Sequence, residues 1–114
     1  MNNNHKTLAE GRWLTFTFAE QLGNIGSEVG RAIDWKNTGD TEQSQKALFR
    51  GLELFDLSLD DRRWGYSKLK EIARAREVVC DFLAGDNEYN SDEKFLNEYF
   101  TRFALAARNA HYQK

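Results

Sequence analysis

No proline occurs anywhere in the 114 residues of this chain. Proline ends helices and shapes loops, so a domain without it is expected to consist of long helices joined by short turns. The apolar residues agree with that expectation. Leu14, Phe18, Leu22, Ile25, Val29 and Ile33 recur in steps of three and four, which puts them on one side of a helix. Thr7 and Glu10 have the spacing of a capping box ahead of this run, in which each side chain bonds the other's free backbone N–H. Asn37-Thr38-Gly39 closes the run with a glycine suited to the left-handed turn that ends helices. The pattern predicts one helix from about Leu8 to about Lys36, although Trp13 to Phe18 alternates in the manner of a strand.

Three further amphipathic runs follow. Asp40, with Gln43 three residues on, caps a second helix whose stripe is Leu48, Leu52, Phe55 and Leu59. Ala47, Gly51 and Leu54 widen that stripe beyond what a surface helix needs. After the charged connection Asp60-Asp61-Arg62-Arg63-Trp64-Gly65, Ser67 is the expected cap of a third helix carrying Leu69, Ile72, Val79 and Leu83. Gly85-Asp86-Asn87 breaks it, and Asn90 with Glu93 is the expected start of a fourth, with Leu96, Phe100, Phe103 and Ala107. Short joins favour antiparallel neighbours. The expected fold is therefore all-α, an up-down antiparallel four-helix bundle with a long first helix. It is expected to fill residues 7–114 as one domain behind a mobile N-terminal tail of residues 1–6.

Sixteen basic residues stand against eighteen acidic ones, a net charge of −2, which gives no ground to expect nucleic acid or an anionic membrane as a partner. The single cysteine, Cys80, precludes an internal disulfide and suits a reducing compartment, so the cytoplasm is the expected location. Flanked by Val79 and Asp81 and far from either histidine, it has the setting of a buried inert thiol. Neither His5 nor His111 belongs to the Glu-x-x-His pattern of a di-iron bundle, and no glycine loop of the phosphate-cradling kind is present. No metal and no cofactor is expected.

Some residues break the amphipathic pattern. Ala19, Gly23, Gly26 and Gly30 form a small-residue stripe along the first helix, and each glycine there costs about 0.8–1 kcal/mol relative to alanine. Close approach of another backbone would offset that cost. It comes either from a neighbouring helix of the same chain or from a partner, and a small-molecule pocket is a further possibility. Arg76 lies within the apolar stripe of the third helix, where a buried guanidinium needs a carboxylate, and Asp56 on the second helix is the expected partner. Three tryptophans are a heavy load for this length, and Trp35 and Trp64 have the placement of plugs at the ends of a bundle.

The segments Gly26-Ser27-Glu28-Val29-Gly30-Arg31-Ala32, Leu52-Glu53-Leu54-Phe55-Asp56-Leu57 and Arg76-Glu77-Val78-Val79-Cys80-Asp81, continued by Tyr99-Phe100 and Phe103-Ala104, resemble small stand-alone four-helix proteins of prokaryotes. These include the S23-like bundles and the HEPN domains. The likeness covers most of the chain and implies a fold. HEPN domains often cleave RNA with an arginine and a histidine four to six residues apart on a late helix. Arg108-Asn109-Ala110-His111-Tyr112 has those letters with only two residues between, so the resemblance implies an RNA-cleaving or toxin-type role for Arg108 and His111. The leading expectation is a different one: a non-enzymatic helical interaction module that self-associates as a homo-oligomer through the stripe of Ala19, Gly23, Gly26 and Gly30. A third reading is a bundle that binds a small anion at Arg76.

Overall fold

The computed structural model describes residues 11–112, with side chains through residue 110. The capping box expected at Thr7 and Glu10 and the tail of residues 1–6 lie outside that range. All regular structure among the described residues is helical: α1 (Phe18–Asn37), α2 (Thr41–Leu59), α3 (Tyr66–Ala84) and α4 (Glu93–Tyr112), preceded by helical residues 11–13. None of these helices is long and apolar enough to cross a membrane.

The first helix is not the long one that the apolar spacing predicts. The chain breaks at residues 14–17, and α1 has 20 residues, like its neighbours. The cause is a second T-x-x-E box inside the apolar run. The Thr17 hydroxyl accepts from the Glu20 backbone N–H at 3.1 Å, while the Glu20 carboxylate accepts from the Thr17 N–H at 2.8 Å. Upstream, the Thr15 hydroxyl donates to the Arg12 carbonyl at 2.6 Å and closes the preceding turn. Leu14, formally on the stripe, is left 47% exposed.

Gly39, at φ +84°, and Asp40, accepting from the Gln43 N–H at 3.0 Å, make the tight join to α2. Two other helix starts differ from expectation. Helix α3 is capped by Gly65, whose backbone is extended and whose carbonyl takes the first helical bond from Leu69; Ser67 lies inside the helix. Helix α4 is capped by Asp92, which accepts from the Phe95 N–H at 2.7 Å, whereas Asn90 sits at φ +53° in the loop. That loop is pinned by Asp81, whose carboxylate accepts from the backbone N–H of Glu88 and Tyr89 at 2.8 and 3.0 Å.

Leu22, Ile25, Val29 and Ile33 of α1, Ala47, Leu48 and Phe55 of α2, Ile72 and Val79 of α3, and Leu96 and Phe100 of α4 form one core. Helix α1 packs closely on both α2 and α4, and α2 packs on α3. The contacts run antiparallel for α1 and α2, with Trp13 at Ser58 and Ser44 at Ala32, and for α1 and α4, with Gly23 at Ala104 and Asn37 at Glu93. Helices α3 and α4 are not among the closely packed pairs. Few backbone contacts join them, and side chains of both helices, among them Ala75, Val78 and Tyr99, line a hollow in the interval.

Candidate functional site

Among the described residues two groupings of polar side chains bear on function, one closed and one beside an open cleft. The closed one lies where the ends of α1 and α2 meet the connection to α3. Gln21, fully buried, uses its whole amide: Nε2 donates to the Trp13 carbonyl at 3.1 Å and to Asp61 Oδ2 at 2.9 Å, while Oε1 accepts from the Ser58 hydroxyl at 2.8 Å and from Trp64 Nε1 at 3.0 Å. Trp13 Nε1 donates to Ser58 Oγ at 3.0 Å. Asp61 is 2% exposed and accepts from Arg63 Nε, Nη2 and backbone N at 3.0, 2.7 and 3.0 Å. Arg63 Nη2 also donates to the Phe16 carbonyl at 2.7 Å and so ties down the broken segment before α1. Hydrogen bonding from Arg63 holds the Asp61 carboxyl at about 2, against an ordinary 3.8, in spite of its burial. Every buried side-chain polar atom among the described residues has a partner. A network with no unused donor or acceptor offers nothing to a ligand, and its work is structural.

The open place is the cleft between α3 and α4, a hollow of about 380 Å³. That is within the size range of ligand pockets, roughly 300–1,000 Å³. Its walls are apolar, with Ala75 and Val78 from α3 and Leu96, Tyr99 and Phe100 from α4. Polar groups sit on its rim. The Tyr99 hydroxyl donates to Glu71 Oε2 at 2.9 Å, and burial together with this bond pushes the phenol well above its ordinary range. The Tyr89 hydroxyl donates to Glu77 Oε2 at 3.1 Å, and the Arg74 guanidinium lies 4.9 Å from the centre of the Tyr89 ring. Two aromatic rings form its lips and face solvent: Tyr89 is 45% and Phe95 54% exposed. Phe95 follows Lys94 at the beginning of α4, one position before Leu96, which is buried in the core, so adjacent residues of one helix serve the core and the surface.

Compared with protein-family models, with curated proteins and with solved structures, the chain matches none. Its site is read from its own geometry.

The residues singled out in the sequence fall elsewhere. The small-residue stripe lies largely beneath α4 of the same chain. A Cβ built on Gly26 would stand 2.4 Å from Phe100 Cβ, and one on Gly23 would stand 3.2 Å from Ala104 Cα. The middle of the surface expected to join two molecules, at Gly23 and Gly26, is therefore occupied within one, where glycines let α4 come this close. Gly30 meets nothing within 4 Å, and Ala19 is half-buried. The contrast gives a paired prediction. Gly30→Ala should stabilise the fold by up to about 1 kcal/mol through helix propensity alone. Gly26→Ala should destabilise it by about 1–2 kcal/mol, because the overlap with Phe100 outweighs the same gain. Thermal unfolding of the two variants checks this, and equal shifts would contradict the packing described.

The structure brings Arg76 and Asp56 together, with Nε donating to Oδ1 at 3.0 Å. Their side chains are 34% and 58% exposed, so the pair lies at the surface and is not the buried ion pair expected. The Arg76 stem runs outward from the apolar stripe and the head group reaches water. Arg108 is exposed on the last turns of α4, and the side chain of His111 lies outside those described. Cys80 is half-buried, and desolvation pushes its thiol up, away from the reactive thiolate. Among the described residues no cluster of histidine, cysteine or carboxylate side chains could hold a metal ion.

Trp64 does plug an end, donating to Gln21 and stacking edge-on with Phe18 at 5.4 Å, whereas Trp35 is 41% exposed. Sequence reasoning missed Gln21, Asp61 and Trp13, and it missed the cleft. Phe95 and Tyr89 carried one available signal: both are large aromatics off the apolar stripes, Tyr89 within the α3–α4 loop and Phe95 just after it.

Proposed function

We propose that this protein is a helical interaction module, an up-down antiparallel four-helix arrangement whose α3–α4 edge is its contact face. The observation that carries the reading is the cleft itself, apolar inside, with Tyr89 and Phe95 held at its lips in water. Aromatic side chains seated around an apolar hollow are the usual composition of binding hot spots. Fully burying an exposed ring is worth about 1.5–3 kcal/mol, and since Tyr89 and Phe95 are about half covered already, a partner would gain about half of that from each. The rim charges Glu71, Arg74 and Glu77 surround this apolar centre, as the polar rim of an interface surrounds its core. The lone Cys80 supports a cytoplasmic setting.

A photo-reactive phenylalanine analogue in place of Phe95 tests the reading in the cells that make the protein. Irradiation is expected to give a discrete adduct, and Val78→Phe, which fills the cleft, is expected to suppress it. The same analogue in place of Phe49, 60% exposed on α2, serves as the control. An identical yield at the two positions, or none at position 95, would overturn the assignment of this face.

A further inference from the structure

We infer that the partner is a second copy of this chain, docked antiparallel along α4 about a two-fold axis that passes between Glu98 and Arg102. The inference rests on the reading of the α3–α4 edge as the contact face and names its occupant. Four exposed residues of α4 start from the lip of the cleft and run along the helix: Phe95, which lines the cleft, then Glu98, Arg102 and Leu105, in steps of three, four and three. On a helix those steps make one stripe. Phe95 and Leu105 are 54% and 49% exposed, two of the large hydrophobic side chains the structure leaves in water. Glu98 and Arg102, both exposed, stand between them, and neither is engaged in an ion pair among the described residues.

The order apolar, acidic, basic, apolar is symmetric in spacing and opposite in charge about its centre. A two-fold contact requires that each residue meet the one related to it by the axis. Reversing one copy against the other sets Phe95 opposite Leu105 and Glu98 opposite Arg102, twice over. The spacing is that of any helical stripe; it is the charge order, acidic then basic between two apolar ends, that makes this stripe complementary to its own reverse. The flanking α3 residues Lys70 and Arg74 are balanced by Glu71 and Glu77, so two copies of the face meet without net repulsion.

Charge reversal on this surface leaves the core untouched and tests the inference directly. Light scattering on the purified wild-type chain should give about twice 13.2 kDa as concentration rises. Glu98→Arg and Arg102→Glu alone each set like charges face to face and should raise the dimer Kd at least about 10-fold. Their equimolar mixture should regain the dimer mass, because one chain then presents two positive and the other two negative groups. The double variant Glu98→Arg/Arg102→Glu should dimerise with itself. A wild-type chain that stays monomeric, or single variants that keep the dimer mass, would overturn self-pairing through α4. Should the wild-type chain be monomeric while the residue-95 adduct contains a different protein, the module reading stands and the second copy is excluded.

Discussion

Gln21→Glu is expected to cost roughly 4 kcal/mol of folding stability at neutral pH, although it changes one atom of a buried side chain. The present amide has two donors aimed at the Trp13 carbonyl and at Asp61 Oδ2, the latter at 2.9 Å. A carboxylate would place oxygen at both, removing two hydrogen bonds and setting two carboxyl groups against each other in a site that water does not reach. Either both ionise and repel, or one binds a proton well above its ordinary range. Gln21→Leu removes all four bonds of the amide without adding charge, and should cost about 3 kcal/mol by stranding the Ser58 O–H and the Trp64 N–H, while the Trp13 carbonyl keeps its bond from the Phe16 N–H. Urea unfolding followed by circular dichroism measures both. In a domain whose total stability is about 5–15 kcal/mol, losses of this size are plain. A change below about 1 kcal/mol for Gln21→Glu would mean that the network is open to solvent.

That network also shows where sequence reasoning stops. The spacing of Leu22, Ile25, Val29 and Ile33 identified the buried side of α1, because burial on a helix repeats with the backbone and needs no knowledge of the neighbour. Gly39 and Asp40 were legible for the same reason, as their roles are local. The break before α1 was local too, but Thr17 and Glu20 lie inside an apolar run that favours a continuous helix. The alternation from Trp13 to Phe18 was its trace. Gln21 is different. It stands beside Leu22 with nothing to mark it as buried, and the groups that satisfy it come from positions 13, 58, 61 and 64. Asp61, in a run of four charged residues, reads as solvated until Arg63 and Gln21 close over it. The glycine stripe announced a close approach, but Phe100 and Ala104 of α4 were invisible until the helices were placed. The cleft arises from which helix pair does not pack, and no single segment encodes it.

Asp61→Asn is expected to destabilise the protein by about 2–3 kcal/mol at pH 7, and the difference from the wild type should fade in acid. Asp61 is held at about 2 in the folded protein, chiefly by Arg63, against an ordinary 3.8. A carboxyl whose folded value is depressed contributes stability that is complete above its unfolded value and is lost as pH falls through the folded one. This depression corresponds to about 2 kcal/mol, present above about pH 4 and mostly gone by pH 2. Other carboxylates titrate over the same range, but they do so equally in wild type and variant, so the difference between the two reports Asp61 alone. The Arg63 bond to the Phe16 carbonyl adds a spatial consequence. Once Asp61 no longer orients the guanidinium, the segment of residues 14–17 loses its tether to the α2–α3 connection. Hydrogen exchange should then accelerate at Phe16 and Trp64 before it does so at Val29 or Phe55, which lie in the shared core. Uniform acceleration across all four positions would show instead that the Asp61 network is part of the global unfolding unit and holds no separate end of the molecule.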